Sequence, residues 1–343
     1  MPLLPGQPVP WFTAPSPSNR EFVFDSAAGR YVLLLFLPQD AEARVASLRF
    51  LAERQRMFDD TRATALVILR RPDDVAGVRD VQGLRWLADR SGMISDRFGP
   101  EPNWTLLDPT LRVIETAPIT TPEPLFARLA ALPPPGDHAG VPLHAPVLIA
   151  PRIFEPDFCR ALVDLFQADG GQFTGVMRDA GDRTEAVMDE LKTRRDILVR
   201  DPELETAIRE RLERRLFPMI ATAFSFQVSR IERYLIACYD AADRARFAPH
   251  RDSTPLATAH RRFASSINLN DGFQGGDLRF PEYGPASYRP PPGGAVVFSC
   301  AMQHEAMPVT SGVRYAFLPF FFDEKAQATL DAYNSRVATG VSA

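Results

Sequence analysis

Cysteine is scarce in this 343-residue chain: only Cys159, Cys238 and Cys300 occur, widely spaced and with no CxxC pair. That excludes a disulfide framework and a zinc knuckle built on paired cysteines. Long apolar runs are missing too, since no stretch approaches the ~18 apolar residues that a membrane span needs. The opening MPLLPGQPVPWF has no basic start followed by an apolar run, so the expected compartment is the cytoplasm, with no membrane partner. A basic excess is also absent. The net charge is −4, whereas phosphate-backbone binding needs clustered Lys and Arg. The arginines concentrated between Arg183 and Arg215 alternate with Asp and Glu, which reads as a solvated helix face, and no nucleic-acid partner is expected. What remains, 45% hydrophobic and 24% charged residues, suits about two globular domains with cores of their own.

Histidine is nearly as rare, with five in the chain. His138 and His144 fall in the run LPPPGDHAGVPLHAP, from Leu132 to Pro146, which carries five prolines; such a stretch is stiff and extended, and both read as solvated linker residues. His260 lies in the polar stretch TPLATAHRR and is expected to be an exposed loop residue or a substrate contact. The last two, His250 and His304, belong to the stretch from Phe247 to Phe322, around which the chain is organised. It opens FAPHRD, continues SSINLNDGFQGGDLRFP and closes PPPGGAVVFSCAMQHEAMPVTSGVRYAFLPFFF. In an extended strand, positions i and i+2 point the same way, so His250 and Asp252 can chelate from one strand. A third ligand must come from a distant strand. His304 follows the buried-strand run GAVVFSC, Gly294 to Cys300, and Arg314 opens the next such run. Two imidazoles and one carboxylate leave one face of a metal open, the arrangement of non-haem Fe(II) oxygen chemistry. The planar fork of Arg314 suits a ligand carboxylate. One His-x-Asp pair arises often by chance; the ligand types, the strand context and the trailing arginine together do not. Glu305, next to His304, is expected to turn away from the metal by strand alternation, and Cys300 to be packing.

The segment from about Ile231 to Glu324 resembles the 2-oxoglutarate and Fe(II)-dependent dioxygenase superfamily, and within it the prolyl 4-hydroxylase-like group. YLIACYDAADRARFAPHRD resembles the strand and loop leading to the first ligand, SINLNDGFQGGDLRFPEYG the hairpin with paired glycines, and the closing run the last strand pair. The resemblance implies a double-stranded β-helix, or jelly roll, with flanking helices. It implies His250, Asp252 and His304 as iron ligands, with Arg314 on the distal carboxylate of 2-oxoglutarate. Tyr239 sits where such proteins often place a tyrosine that hydrogen-bonds the same cosubstrate. The implied cofactors are Fe(II), the cosubstrate 2-oxoglutarate and O2. The implied reaction is hydroxylation of a C–H bond in a peptide or protein residue of prolyl type, or in a small amino-acid-like substrate, with release of succinate and CO2. Related halogenases lack the carboxylate ligand, so Asp252 favours hydroxylation. Tyr315 and Ala316 follow Arg314 where the family often has x-Ser or x-Thr, and a helper hydroxyl is missing there.

Residues 1–136 read as an α/β unit: a buried strand from Tyr31 to Leu37, a helix from Ala41 to Phe58 with Val45, Leu48, Leu51 and Ala52 as its apolar stripe, a strand from Thr64 to Leu69, a strand from Trp104 to Leu107 starting a hairpin, and a final helix from Pro124 to Leu132. The order fits a thioredoxin-like layer. LLLFLP, LADRSGMISDRFG and TLLDPTLRVI resemble peroxiredoxins. Val45 stands where such enzymes carry the peroxidatic cysteine and Glu42 where they carry threonine, so the resemblance implies a redox-silent fold. It would pack against the oxygenase, present a binding surface or mediate homodimerisation.

A linker over residues 137–146 then leads to the oxygenase domain, residues 147–343. That domain should begin with a strand from Pro146 to Ala150 and a helix from Pro156 to Gln167, with Phe158, Leu162, Leu165 and Phe166 as its buried stripe. Gly170 to Arg195 reads as a polar loop, and the helix after Asp201 and Pro202 should bend at Pro218. A strand from Glu232 to Tyr239 leads into the metal site. The competing reading is a non-catalytic binding or sensor protein that uses the thioredoxin-like domain for protein interaction.

Overall fold

Alternation along single strands organises both parts of the molecule. The structure is a computed structural model that describes residues 3–70, 77–99, 101–181 and 183–339. It divides into two compact units, one of residues 1–145 with 281–285, the other of residues 146–280 with 286–343.

In the first unit the apolar run Tyr31–Phe36 is buried along its whole length, as expected of a strand with both faces covered. Val32, Leu34 and Phe36 enter one core with Leu66, Ile68 and Phe98, while Tyr31, Leu33 and Leu35 enter the other with Val67, Trp104 and Phe126. The five-stranded sheet runs Leu84–Ala88, Ala63–Leu69, Tyr31–Phe36, Asn103–Leu107, Val113–Pro118. Its first two pairings are parallel and its last two antiparallel. The helix Ala41–Ala52 crosses between the parallel strands Tyr31–Phe36 and Ala63–Leu69, capped by the Asp40 carboxylate, which accepts from the Ala43 N–H. Helix Glu123–Ala131 closes the unit. The first helix ends earlier than its periodicity predicts, giving way to a 3-10 turn, Gln55–Met57. Val45 is exposed, and Ser47 and Leu51 are the residues buried. His144 is exposed, but His138 is partly buried; burial pushes its imidazole down.

The second unit is mostly β, with helices packed outside, an arrangement consistent with a jelly roll. Its larger sheet joins nine strands, among them Phe263–Asn268, Val313–Phe317, Leu235–Asp240 and Arg195–Leu198; the smaller runs Lys192–Thr193, Arg246–His250, His304–Ala306, Leu278–Arg279, Ser287–Tyr288. In Leu235–Asp240, Ile236 and Cys238 face the helices Pro156–Asp169, Pro202–Arg215 and Phe217–Phe224, packing with Leu162, Leu212 and Ile220. Leu235, Ala237 and Tyr239 face inward with Phe273, Ala306 and Val309. Period-two burial therefore points Tyr239 at the interior and gives the outer face to the helices. The long helix breaks at Leu216, before Pro218. Leu165 is 38% exposed and leaves the buried stripe to Cys159, Leu162 and Phe166. The stretch read as a polar loop holds an antiparallel hairpin, Val176–Ala180 with Arg183–Val187. Among the described residues no helix is long and apolar enough to cross a membrane.

Candidate metal centre

His250 ends the strand Arg246–His250 and His304 begins His304–Ala306; the two strands are antiparallel neighbours and pair these histidines directly. Their rings lie 4.3 Å apart. Asp252 lies two residues on, in the turn after the strand and not on the strand itself as the i, i+2 spacing led one to expect, and it is fixed there by its N–H donating to the Cys300 carbonyl at 3.0 Å. Its Oδ1 lies 3.5 Å from His250 Nε2 and its Oδ2 3.3 Å from His304 Nε2. One ligand atom from each residue lies within 4.8 Å of the others.

The donor set fits a cation. His250 Nδ1 lies 2.8 Å from the Ala248 carbonyl and His304 Nδ1 3.1 Å from the Met302 carbonyl. A carbonyl only accepts, so each Nδ1 carries the proton and each Nε2 keeps its lone pair toward Asp252. Burial pushes the His250 imidazole down, with His304 adding to the effect, which favours the neutral form that binds metal. Burial works to raise the Asp252 carboxyl, but a facing imidazole that takes a second proton, His304 above all, outweighs it and holds the carboxyl well below the usual carboxylate range; a cation would take the place of that proton. Ligands at about 2.0–2.2 Å from one ion stand roughly 3 Å apart, close to the spacing present. Phe247 stacks on His250 with ring centroids 3.5 Å apart, and Phe298 lies 4.5 Å from His304, so the rings have little freedom to turn.

The same cavity is lined by Tyr239, Arg314, Ser266, Arg194 and Arg233. Arg314 is 2% exposed. It donates from Nη2 to Ser266 Oγ at 2.8 Å and from Nε to Asn268 Oδ1 at 3.1 Å. These partners are neutral, so they aim the fork while leaving its charge uncompensated. Tyr239 is its cross-strand partner. Gly276 makes room for it: at φ +71, a Cβ there would lie 3.2 Å from Arg314 Cδ and 2.8 Å from Val309 Cγ2. The sequence-predicted residues His250, Asp252, His304, Arg314 and Tyr239 thus all meet at one cavity.

Two decoys resolve differently. His260 is 2% exposed, not a surface residue, and its Nε2 sits 2.8 Å from Glu232 Oε2. Glu305 pairs with Arg279. Arg194, Arg233, Ser266 and Asn268 escaped the sequence reading. Ser266 and Asn268 are two positions apart on one strand, which puts them on one face. Arg194 lay in the stretch read as loop. It is 4% exposed and its Nε sits 2.6 Å from Asp196 Oδ1, while its Nη1 donates to the Tyr239 hydroxyl at 3.1 Å. Lys192 supports the same carboxylate from 3.4 Å and donates to Thr174 Oγ1 at 2.6 Å; burial, with Arg194, pushes its ammonium down to about 7.

Arg233 had a signal, since an unbroken strand from Glu232 to Tyr239 would put it on the face of Tyr239. The structure breaks that strand into Arg230–Glu232 and Leu235–Asp240, with Arg233 between them at φ +51. A left-handed arginine costs roughly 1–3 kcal/mol of backbone strain.

No family model matches the sequence. No curated protein matches it. Solved structures do. A prolyl-4-hydroxylase of Pseudomonas putida is 18% identical, with 52% of this chain and 94% of that chain covered at a TM-score of 0.40. A prolyl hydroxylase of Trichoplax adhaerens, solved with a hypoxia inducible factor oxygen degradation domain peptide fragment, is 17% identical over 53% of this chain and 86% of that one, at a TM-score of 0.43. An oxidoreductase of the 2OG-Fe(II) oxygenase family from Burkholderia pseudomallei is 21% identical over 51% and 84%, at 0.37. These neighbours cover about half the chain.

Proposed function

We propose that this chain is a non-haem Fe(II), 2-oxoglutarate-dependent dioxygenase that hydroxylates a C–H bond of a protein residue of prolyl type or of a small amino-acid-like molecule. One observation carries the reading: two imidazole Nε2 atoms and one carboxylate converge in a cavity that also holds a buried arginine without an acidic partner among the described residues. His250, Asp252 and His304 would hold Fe(II), and Arg314 would take the far carboxylate of 2-oxoglutarate. When bound, the metal and its cosubstrate supply the oxygen-activating chemistry that ends in succinate and CO2.

The protein's own residues contribute geometry. The Ala248 and Met302 carbonyls lock both imidazoles in the ligating tautomer. Ser266 and Asn268 hold the Arg314 fork in place. Phe247, Phe298 and Phe320 line the cavity with apolar surface and limit water around the reacting groups.

For the first unit the proposed fold is thioredoxin-like. Its support is the order strand, helix, parallel strand, then hairpin and closing helix, and its lack of cysteine makes it redox-silent. The proposed compartment is the cytoplasm; the three cysteines are free thiols, which suits a reducing one.

Purified protein with Fe(II) and 2-oxoglutarate should release succinate, at least in slow uncoupled turnover, and lose it on His304→Ala. Well-folded, metal-loaded protein that yields no succinate above background across a broad substrate panel would overturn the proposal.

A further inference from the structure

The charges around the cavity do not balance, and the imbalance has one address. Three arginines line it: Arg194, Arg233 and Arg314. Arg194 is matched by Asp196, through Nε at 2.6 Å and Nη2 at 2.9 Å. The carboxylate of Asp252 belongs to the metal set. On the proposed function, a dication, one Asp, a doubly charged 2-oxoglutarate and Arg314 sum to zero. Arg233 is left over.

Glu232 and Asp252 lie near enough to favour its charged form, but neither pairs with it. Among the described residues Arg233 has neither an ion pair nor a side-chain hydrogen bond, and its Nε is shut off from solvent. Glu232, its chain neighbour, is already claimed by Arg261 and by His260 at 2.8 Å. What Arg233 does touch is the face of Phe320, with its guanidinium carbon 4.4 Å from the ring centre, while Arg261 covers the same ring at 3.9 Å. A second cation on that ring makes the charge harder to keep, and burial and Arg261 push the Arg233 guanidinium down to about 10. Its backbone is held in the left-handed region as well. Arg233 is partly buried, and a guanidinium fork left unpaired at the cavity wall is costly unless a ligand pairs it. A planar anion with two oxygens is what such a fork receives best.

We propose that Arg233 binds a carboxylate of the substrate to be hydroxylated, so that the substrate is a carboxylate-bearing molecule. The inference rests on the oxygenase reading and narrows its substrate class. Much of the remaining wall, including Phe247, Phe298, Leu318, Pro319 and Phe320, is apolar, which suits an aliphatic body attached to the acid. Arg233 is a specificity-determining residue in this scheme, separate from the cosubstrate's anchor.

The test is calorimetric titration of the full chain, loaded with Mn(II) and an unreactive 2-oxoglutarate analogue, with matched pairs of probes. N-acetyl-L-proline against N-acetyl-L-prolinamide reports a free or chain-terminal carboxylate. N-acetyl-Pro-Glu-amide against N-acetyl-Pro-Gln-amide reports an acidic side chain. The expected result is an acid bound at least tenfold more tightly than its amide partner in one pair, with that preference lost in Arg233→Gln and partly kept in Arg233→Lys. If Arg233→Gln does not fold, Arg233→Lys carries the comparison, with a roughly threefold loss of acid binding. The proposal is overturned if no acid binds, if acids and amides bind alike, if Arg233→Gln keeps the preference, or if Arg233→Gln loses the 2-oxoglutarate analogue while Arg314→Gln does not. Wild-type protein that takes up neither Mn(II) nor the analogue defeats the oxygenase reading alone. The acid and amide pairs are then titrated on metal-free protein, where the same preference and its loss in Arg233→Gln decide the role of Arg233.

Discussion

His250 and His304 are direct cross-strand partners with their rings 4.3 Å apart, and Asp252 lies within 3.5 Å of both Nε2 atoms. The centre therefore depends on a pairing between two strands far apart in sequence, and its ligands should fail together.

Replacing His304 or Asp252 with alanine should weaken metal binding by roughly 100-fold or more, since losing even an outer partner of a ligand commonly costs 10–100-fold. Anaerobic calorimetry with Fe(II) reads this directly. His260→Ala should leave metal affinity within about twofold of wild type, because that side chain is engaged with Glu232.

Arg314→Gln should act on the cosubstrate and leave the metal in place. A charge-assisted pair is worth about 1.5–3 kcal/mol, so the KM for 2-oxoglutarate should rise roughly 10- to 100-fold. An unchanged KM would assign the cosubstrate to another anchor.

Glu232 carries a pH signature. Burial tends to raise its carboxyl, but His260 and Arg261 hold it down at about 2 against an ordinary 4.5. A depressed folded-state value means that the stabilisation is present above pH 4.5 and is lost as pH falls toward about 2. Glu232→Gln should therefore cost roughly 2–3 kcal/mol in urea unfolding at neutral pH, with the difference from wild type shrinking below pH 4. An equal difference at both extremes would contradict this.

The cysteines should be silent in the native protein. All three are buried, and burial pushes Cys159 and Cys238 up to about 11 and Cys300 well above its ordinary value. A thiol reagent at pH 8 should react slowly with folded protein and count three thiols after unfolding. Native protein given peroxide and a thiol reductant should show no turnover.

The legible parts of this chain are those where one residue type at a fixed period has a single explanation. Tyr31 to Leu37 reads as a buried strand because it is apolar at every position, and the strand observed is Tyr31–Phe36. The five residues assigned to the site meet in one cavity, although Asp252 reaches it from the turn after Arg246–His250 and not from the strand that the two-residue repeat implied. What stayed hidden was set by tertiary context. The hairpin Val176–Ala180 with Arg183–Val187 pairs polar and charged residues such as Arg178 with Glu185, so no apolar alternation announces it. Val45 and Leu165 fit an apolar stripe, yet each is exposed, because neighbouring elements cover a different arc of their helices. The break at Arg233 had no glycine or proline to mark it, and that break sets the most exceptional charge in the cavity.

The central claim is that His250, Asp252 and His304 hold one cation. Anomalous diffraction from crystals grown without oxygen, with Fe(II) and 2-oxoglutarate, tests it most directly. The account predicts a single metal peak about 2.0–2.2 Å from the Nε2 atoms of His250 and His304 and from an Asp252 oxygen, with the far carboxylate of 2-oxoglutarate on Arg314. Well-ordered crystals with no metal at those three side chains, or with the metal held by other residues, would contradict it.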